Sequence, residues 1–356
     1  MANVLQQHFP MIRDRQEVME EIRSQKNLTE IFSGWQKRRQ EEFLDYCTGV
    51  RGVKLLYDHF FKAVMNPEAT PERLEELLSL IIGEKIKILN VLPADSTRIA
   101  AEKTLLLLDI VVELENGSIA NVEVQKIGYA FPGQRSACYS ADLLLRQYKR
   151  IKGGRGKAFS YRDIKKVYTI VLFEESIGEF HKFPKKYIHH MKQASDTGLQ
   201  MDLLQEYAFI AIDIFKEILQ NKGVRECNKL DAWLAFLSVD EPETIIELIE
   251  VYPEFEPLYR EVYGICRNME DFMGIFSEEL AILDKNTVDY MIDEMQDTID
   301  KQQEIIKDLE DRLARRQNHL NQLNQKLIAD NRMEDLARAV SDREFQEQLL
   351  QEYGLL

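Results

Sequence analysis

The 356-residue sequence is poor in cysteine and histidine, and it has no long apolar run and no glycine-rich nucleotide loop. Each shortage removes a class of function. The four cysteines, Cys47, Cys138, Cys227 and Cys266, lie far apart and show neither C-x-x-C nor Cys/His metal spacing. That argues against a disulfide-stapled secreted scaffold and against a zinc module, and the cytoplasm is the expected compartment. Among the six histidines only His189-His190 are adjacent, in a lysine-rich turn where solvation is expected rather than metal ligation. No stretch approaches the ~20 apolar residues that cross a bilayer, and MANVLQQHFPMIRDRQEVMEE lacks a long apolar h-region, so no membrane partner is expected. No Ser/His/Asp arrangement stands out either.

What is present is charge, unevenly distributed. The formal net charge is -15, which at first sight disfavours a polyanionic partner. Lys126 to Lys192, however, holds 15 Lys/Arg against 5 Asp/Glu, whereas Met201 to Asp297 holds 23 acidic against 7 basic residues. The densest basic stretch, Arg146-Gln-Tyr-Lys-Arg-Ile-Lys-Gly-Gly-Arg-Gly-Lys157, interleaves glycine with cations and reads as a solvated loop. It is a surface loop kept soluble by charge or, beside a phosphodiester site, a phosphate-contacting arm.

Residues 1–50 read as polar helices, and Val53 to Val64 as a helix or helix-turn. Thr70-Pro71 opens a helix with Thr70 as N-cap, carrying Leu74, Leu77, Leu78 and Ile81 on one stripe and stopped by Gly83. Strands are expected at Lys87–Leu92, Leu105–Leu114, Ile119–Gln125 and Lys166–Phe173, with an amphipathic helix over Arg135–Ile151. That order describes a mixed α/β core. From Leu203 onward mostly helices are expected. Val288, Ile292, Met295, Ile299, Ile306, Leu309, Leu313, Leu320, Leu323 and Leu327 then follow spacings of four and three, interrupted by Gln302 and Arg316. This heptad pattern predicts a self-associating coiled coil or an antiparallel helical hairpin. The expected organisation is an N-terminal helical segment over 1–50, a core over 51–200, an acidic helical region over 201–285 and a coiled-coil tail over 286–356.

The hairpin Leu105–Gln125 carries the chemistry. Its two apolar sets, Leu108, Ile110, Val112 and Leu114 on one strand and Ala120, Val122 and Val124 on the other, must share a face. A two-residue turn at Asn116-Gly117 puts them out of phase. A three-residue loop, Glu115-Asn116-Gly117, with Gly117 left-handed, puts them in phase and sets Asp109 opposite Glu123. Gln125 then shares the face of Glu123. Two neighbouring carboxylates in an apolar sheet ask for a cation, and carboxylate oxygens suit Mg²⁺ or Mn²⁺. A solvated sheet edge carrying ordinary polar residues is the plainer alternative.

Asp109, the hairpin and Glu123-Val-Gln125 together resemble the D…(D/E)-x-K signature of the PD-(D/E)XK nucleases, specifically the PD-(D/E)XK nuclease family transposases, or recombination-promoting nucleases. Tyr57-Asp58-His-Phe-Phe61-Lys62 resembles the D-x-x-FK element of that branch, and Arg135-Ser-Ala-Cys-Tyr139 its R-x-x-x-Y helix. Arg332–Tyr353 is similar to its tails. The resemblance implies a restriction-endonuclease-like core with a mixed sheet, DNA as substrate, and Asp109 and Glu123 as ligands of the metal. It also implies Gln125 in the place of the usual lysine, a third acid at Glu75 or Glu76, and catalytic support from Arg135 and Tyr139. Neutral Gln125 supplies no positive charge but can bond a water or a phosphate oxygen. Lys126, Arg146, Lys149, Arg150, Lys152, Arg155 and Lys157 are the expected DNA contacts, and the tail the expected homo-oligomer contact. The expected function is that of a metal-dependent DNA endonuclease. A degenerate, non-catalytic nucleic-acid-binding or oligomeric scaffold is the alternative, and a purely structural coiled-coil protein leaves the hairpin unexplained.

Overall fold

The computed structural model describes residues 3–93, 110–126 and 132–355, with helical positions 284–294, 296 and 297 given by their backbone alone. The chain forms two compact units, Met1–Tyr290 and Met291–Leu356.

Among the described residues six helices precede the sheet: α1 (Val4–His8), α2 (Arg15–Ser24), α3 (Lys26–Gly34), α4 (Lys37–Thr48), α5 (Asp58–Val64) and α6 (Pro71–Ile82). Capping boxes open the first two, Asn3 with Gln6 and Asp14 with Glu17, and each pair satisfies backbone N–H groups that the first turn leaves bare. Thr70 stands at the N-cap of α6, but its side chain makes no capping hydrogen bond; Pro71 fixes the first turn and left-handed Gly83 ends the helix. The sheet region then runs β1 (Ile88–Leu92), β2 (Ile110–Leu114), β3 (Ile119–Gln125), α7 (Pro132–Arg155), β4 (Val167–Phe173), α8 (Gly178–His181), β5 (Ile188–Lys192) and β6 (Gln205–Ala211). It is followed by α9 (Ile212–Lys222), α10 (Lys229–Ser238), α11 (Pro242–Val251), α12 (Glu256–Ile265), α13 (Met269–Ala329), α14 (Met333–Ser341) and α15 (Arg343–Glu352).

The strands lie in the order β1-β2-β3-β4-β6-β5. β1, β2 and β3 pair antiparallel, β3, β4 and β6 run parallel, and β5 returns antiparallel along β6. Sequence reading anticipated four of these strands and placed β6 among helices. β6 pairs along its whole length with β4, from Val167↔Gln205 to Phe173↔Ala211, and its Ala208, Phe209, Ile210 and Ala211 are all buried. A strand covered on both faces loses the polar alternation that marks a strand in sequence. α7 also departs from expectation, continuing through Gly153 and Gly154 to Arg155 where a loop was expected.

The two sheet faces bury different partners. Ile110, Val112, Leu114, Ala120, Val122, Ile170, Leu172 and Ile210 join the main core, which also takes in Leu5, Phe43, Phe60, Leu77, Phe236 and Phe276. Val111, Ile119 and Val167 face the other way, against Tyr139 and Leu143 of α7. Farther along that face Val171, Phe173, Phe209 and Ala211 pack with Phe180 and Ile214. In the second unit Leu323 and Leu327 of α13 are buried with Ala339, Leu349 and Leu350 of the two terminal helices.

Candidate active site

The hairpin adopts the three-residue loop. Leu114 N–H donates to Ser118 O at 2.9 Å, Gly117 N–H donates to Leu114 O at 2.8 Å, and Gly117 has φ +84°. The pairs are Ile110↔Val122, Val111↔Asn121, Val112↔Ala120 and Glu113↔Ile119, so the apolar sets are in phase. Asp109 lies outside the described residues.

Because Ala120 and Val122 face the main core, Asn121, Glu123 and Gln125 stand on the face that α7 covers. Glu123 is 5% exposed and Gln125 6%, and Asn121 is fully buried. Asn121 Nδ2 donates to Glu123 Oε1 at 3.0 Å. Buried atoms with no hydrogen-bond partner among the described residues include Asn121 Oδ1, Gln125 Oε1, Ser136 Oγ and Thr169 Oγ1. Thr169 is the β4 neighbour of Asn121, and Ser136 belongs to the first turns of α7. Buried polar atoms are rarely left unbonded, which makes these oxygens candidates for contact with a polar ligand.

Arg135 and Tyr139 are adjacent on one face of α7, with Arg135 Nε donating to the Tyr139 hydroxyl at 2.8 Å. Tyr139 is buried against the sheet. Farther along α7, Gln147 Nε2 donates to Gly117 O at 3.2 Å and Gln147 Oε1 accepts from Lys165 N–H at 2.7 Å. One buried side chain thus ties the hairpin loop and the approach to β4 to the covering helix.

Lys126 lies inside the protein. Its ammonium donates to Leu56 O and sits 3.7 Å from the Glu279 carboxylate, 3.8 Å from that of Glu174 and 4.7 Å from the Tyr57 ring centre. Burial holds the Lys126 ammonium below the usual lysine range against the opposing pull of Glu174 and Glu279, and burial raises the Glu279 carboxyl. Asp58 and Lys62 of the D-x-x-FK-like segment form an ion pair at 2.9 Å along α5. Glu75 binds Lys87 at 2.5 Å and accepts from Ile88 N–H at 2.9 Å, and Ile88 pairs with Leu114 at the loop end of the hairpin. Burial works to raise Glu75, but the Lys87 and Ile88 bonds hold it below the usual carboxylate range. Glu76 accepts from Trp233 Nε1 at 3.0 Å. Both glutamates are engaged away from the Glu123–Gln125 end of β3.

The basic residues divide into two sets. Arg146 pairs with Asp142, Arg150 with Glu113 and Arg155 with Asp163, at 2.6, 2.6 and 2.7 Å. Lys149, Lys152 and Lys157 have no acidic partner among the described residues and are exposed. Lys152 donates to the Tyr148 hydroxyl at 2.6 Å, and Tyr148, Phe159 and Tyr161 form an aromatic cluster that holds the end of α7 against the following turns. Cations in the last turn of a helix also offset its negative end. This set stands at the opposite end of α7 from Arg135: Tyr139 and Lys152 are separated by about 20 Å of helix axis at ~1.5 Å per residue.

Sequence reasoning missed Asn121, Ser136 and Thr169, and it missed Glu174 and Glu279 as partners of Lys126. Asn121 was within reach, since the alternation that singled out Glu123 and Gln125 includes it. The others depend on tertiary contact.

A mixed sheet in which an antiparallel hairpin feeds a helix-crossed parallel pair, with an acid and an amide buried at the strand end beneath that helix, fits an α/β fold of the PD-(D/E)XK kind. The chain belongs to the PD-(D/E)XK nuclease family transposases, whose family model matches residues 55–291. No curated protein and no solved structure matches it. Among the described residues no helix is long and apolar enough to cross a membrane, and no group of three or more His, Cys, Asp and Glu side chains is arranged to hold a metal ion.

Proposed function

We propose that the chain is a metal-dependent DNA endonuclease whose site is Asp109, Glu123 and Gln125. The observation that carries this reading is the burial of Glu123 and Gln125 on the α7 face of the hairpin, with Gln125 Oε1 unbonded among the described residues. The donor set fits a hard divalent ion such as Mg²⁺ or Mn²⁺: carboxylate oxygens and an amide oxygen, with neither sulfur nor imidazole. Asp109 and Glu123 are the residues that would hold it, and when bound it supplies an activated water and charge stabilisation on the phosphodiester. Asn121 fixes the Glu123 carboxylate by its 3.0 Å bond, Gln125 orients water or a phosphate oxygen through its amide, and Arg135, set by Tyr139, offers charge to a phosphate.

Lys149, Lys152 and Lys157 are the phosphate contacts of this reading, since Arg146, Arg150 and Arg155 are already neutralised by acids. The ~20 Å between the two ends of α7 equals about six base-pair steps at ~3.4 Å each, so a duplex lying along the helix reaches both. The core assigned to 51–200 extends in the sheet to Ala211. The cytoplasm as compartment is supported by the four cysteines, all unpaired. The tail is the homo-oligomer contact, supported by the exposure of Met295, Ile299, Ile306, Leu309 and Leu313.

The rival reading, a catalytically degenerate DNA-binding scaffold, is favoured by one observation: the cation adjacent to Gln125, Lys126, is committed to Leu56, Glu174 and Glu279. Plasmid cleavage with Mg²⁺ or Mn²⁺ by the native chain and by Glu123→Ala separates the two. Loss of cleavage with retained DNA binding supports the nuclease; DNA binding with no cleavage by the native chain supports the scaffold.

A further inference from the structure

The apolar stripe of α13 is divided. Leu323 and Leu327 are sealed beneath α14 and α15, whereas Met295, Ile299, Ile306, Leu309 and Leu313 are exposed, Leu313 by 73%. The tail's own helices therefore end the available stripe near Arg316. In heptad terms Ile299, Ile306 and Leu313 take position a, and Met295, Gln302, Leu309 and Arg316 take position d. We propose that this stretch pairs with the same stretch of a second copy of the chain running antiparallel. The proposal rests on the reading that the tail self-associates, and it adds the direction and register of pairing.

Three observations favour antiparallel pairing. A parallel, in-register pair stacks Gln302 on Gln302 and Arg316 on Arg316 within the seam, which leaves two guanidinium groups facing each other. An antiparallel pair matches a with d, so that Ile299 meets Leu309 of the second copy, Ile306 meets Gln302 and Leu313 meets Met295. Every one of these layers then has at least one apolar member.

Second, Ile305 lies outside the a and d positions and is 61% exposed. It occupies position g. In a parallel pair g faces e, which sets Ile305 beside Glu310 of the other copy. In an antiparallel pair g faces g, which brings the two Ile305 side chains together at the dyad and buries them.

Third, charge is polarised along the helix. Residues 293–311 hold eight acidic and two basic residues, and 312–329 hold four basic and none acidic. Parallel pairing sets like ends together. Antiparallel pairing sets the basic end of one copy alongside the acidic end of the other. The overlap of residues 295–316 is about 33 Å long at ~1.5 Å per residue, some three heptads.

The test uses the full chain with exposed Cys138 changed to Ser, so that the remaining native thiols are buried. Met295→Cys and Leu313→Cys chains are mixed under mild oxidation, and Ile305→Cys is oxidised alone. Antiparallel pairing predicts a Met295→Cys/Leu313→Cys mixed dimer in excess of either self-dimer, and efficient self-crosslinking of Ile305→Cys. Self-dimers of Met295→Cys and Leu313→Cys with no mixed species establish a parallel pair and overturn the direction. A native chain that sediments as a monomer at micromolar concentration overturns self-association and the direction with it, while leaving the nuclease reading untouched.

Discussion

The Lys126 ammonium lies 3.7 Å from the Glu279 carboxylate, and both side chains are almost completely sealed from solvent. The pair ties the residue that follows Gln125 to the first turns of α13, and Glu174, at the end of β4, completes the cluster. A lysine next to the candidate site is thereby fixed as part of the fold.

Removing one partner of this pair leaves a buried charge without its counterion. Lys126→Met is expected to destabilise the chain by about 3–5 kcal/mol, and the double variant Lys126→Met/Glu279→Leu to recover a large part of that loss. Denaturant unfolding of the two variants checks this. A Lys126→Met chain of native stability with weakened DNA binding contradicts it.

The division of the basic residues predicts an asymmetric salt dependence. Replacing Lys149, Lys152 and Lys157 together by Ala is expected to lower the slope of log affinity against log salt by about 2–3, at ~0.9 per phosphate contact. Arg150→Ala, which releases Glu113, is expected to change that slope far less. Fluorescence anisotropy with a labelled duplex over a salt series measures both.

Gly117 at φ +84° closes the hairpin in a conformation that costs other residues about 1–2 kcal/mol. Gly117→Ala is expected to lower stability by about that amount, with its new methyl group pressing on the Lys165 side chain, 3.2 Å away. Thermal or denaturant unfolding reads the loss directly.

Asp231 predicts an acid limb of stability. Burial works to raise its carboxyl, but Lys222 at 2.6 Å, the Tyr187 hydroxyl and the Asn228 N–H outweigh it and hold the group below the usual range. A carboxyl lowered by folding adds stability that is complete above its unfolded value of about 3.9 and is lost as pH falls through the folded value. Asp231→Asn is expected to flatten that part of the stability-against-pH curve and to lower stability at neutral pH. A variant with an unchanged acid limb contradicts the assignment.

Much of this architecture was legible in sequence, for definite reasons. The requirement that two apolar faces be in phase selected the three-residue loop over the commoner two-residue turn, and Ile110↔Val122 is the register it demands. Pro71 and Gly83 bounded α6 correctly. β6 escaped because both of its faces are covered, and α7 outran its expected end because Gly153 and Gly154 did not stop a helix held by Gln147 and the Tyr148 cluster. At the site, Glu123 and Gln125 followed from alternation alone. The burial of Lys126 did not: Leu56, Glu174 and Glu279 come from three distant segments, and a lysine just after a strand carries no local sign of them. The engagement of Glu75 by Lys87 and of Glu76 by Trp233 was likewise hidden, because only the folded chain brings those partners to them.

The nuclease reading stands or falls on one carboxylate pair, Asp109 and Glu123, and supercoiled plasmid cleavage reports on it. The native chain is expected to nick or linearise the plasmid only with Mg²⁺ or Mn²⁺. Asp109→Ala and Glu123→Ala are each expected to reduce the rate at least a hundredfold, about 2.7 kcal/mol or more of transition-state stabilisation, while still binding DNA. Cleavage at the native rate by both variants contradicts the account.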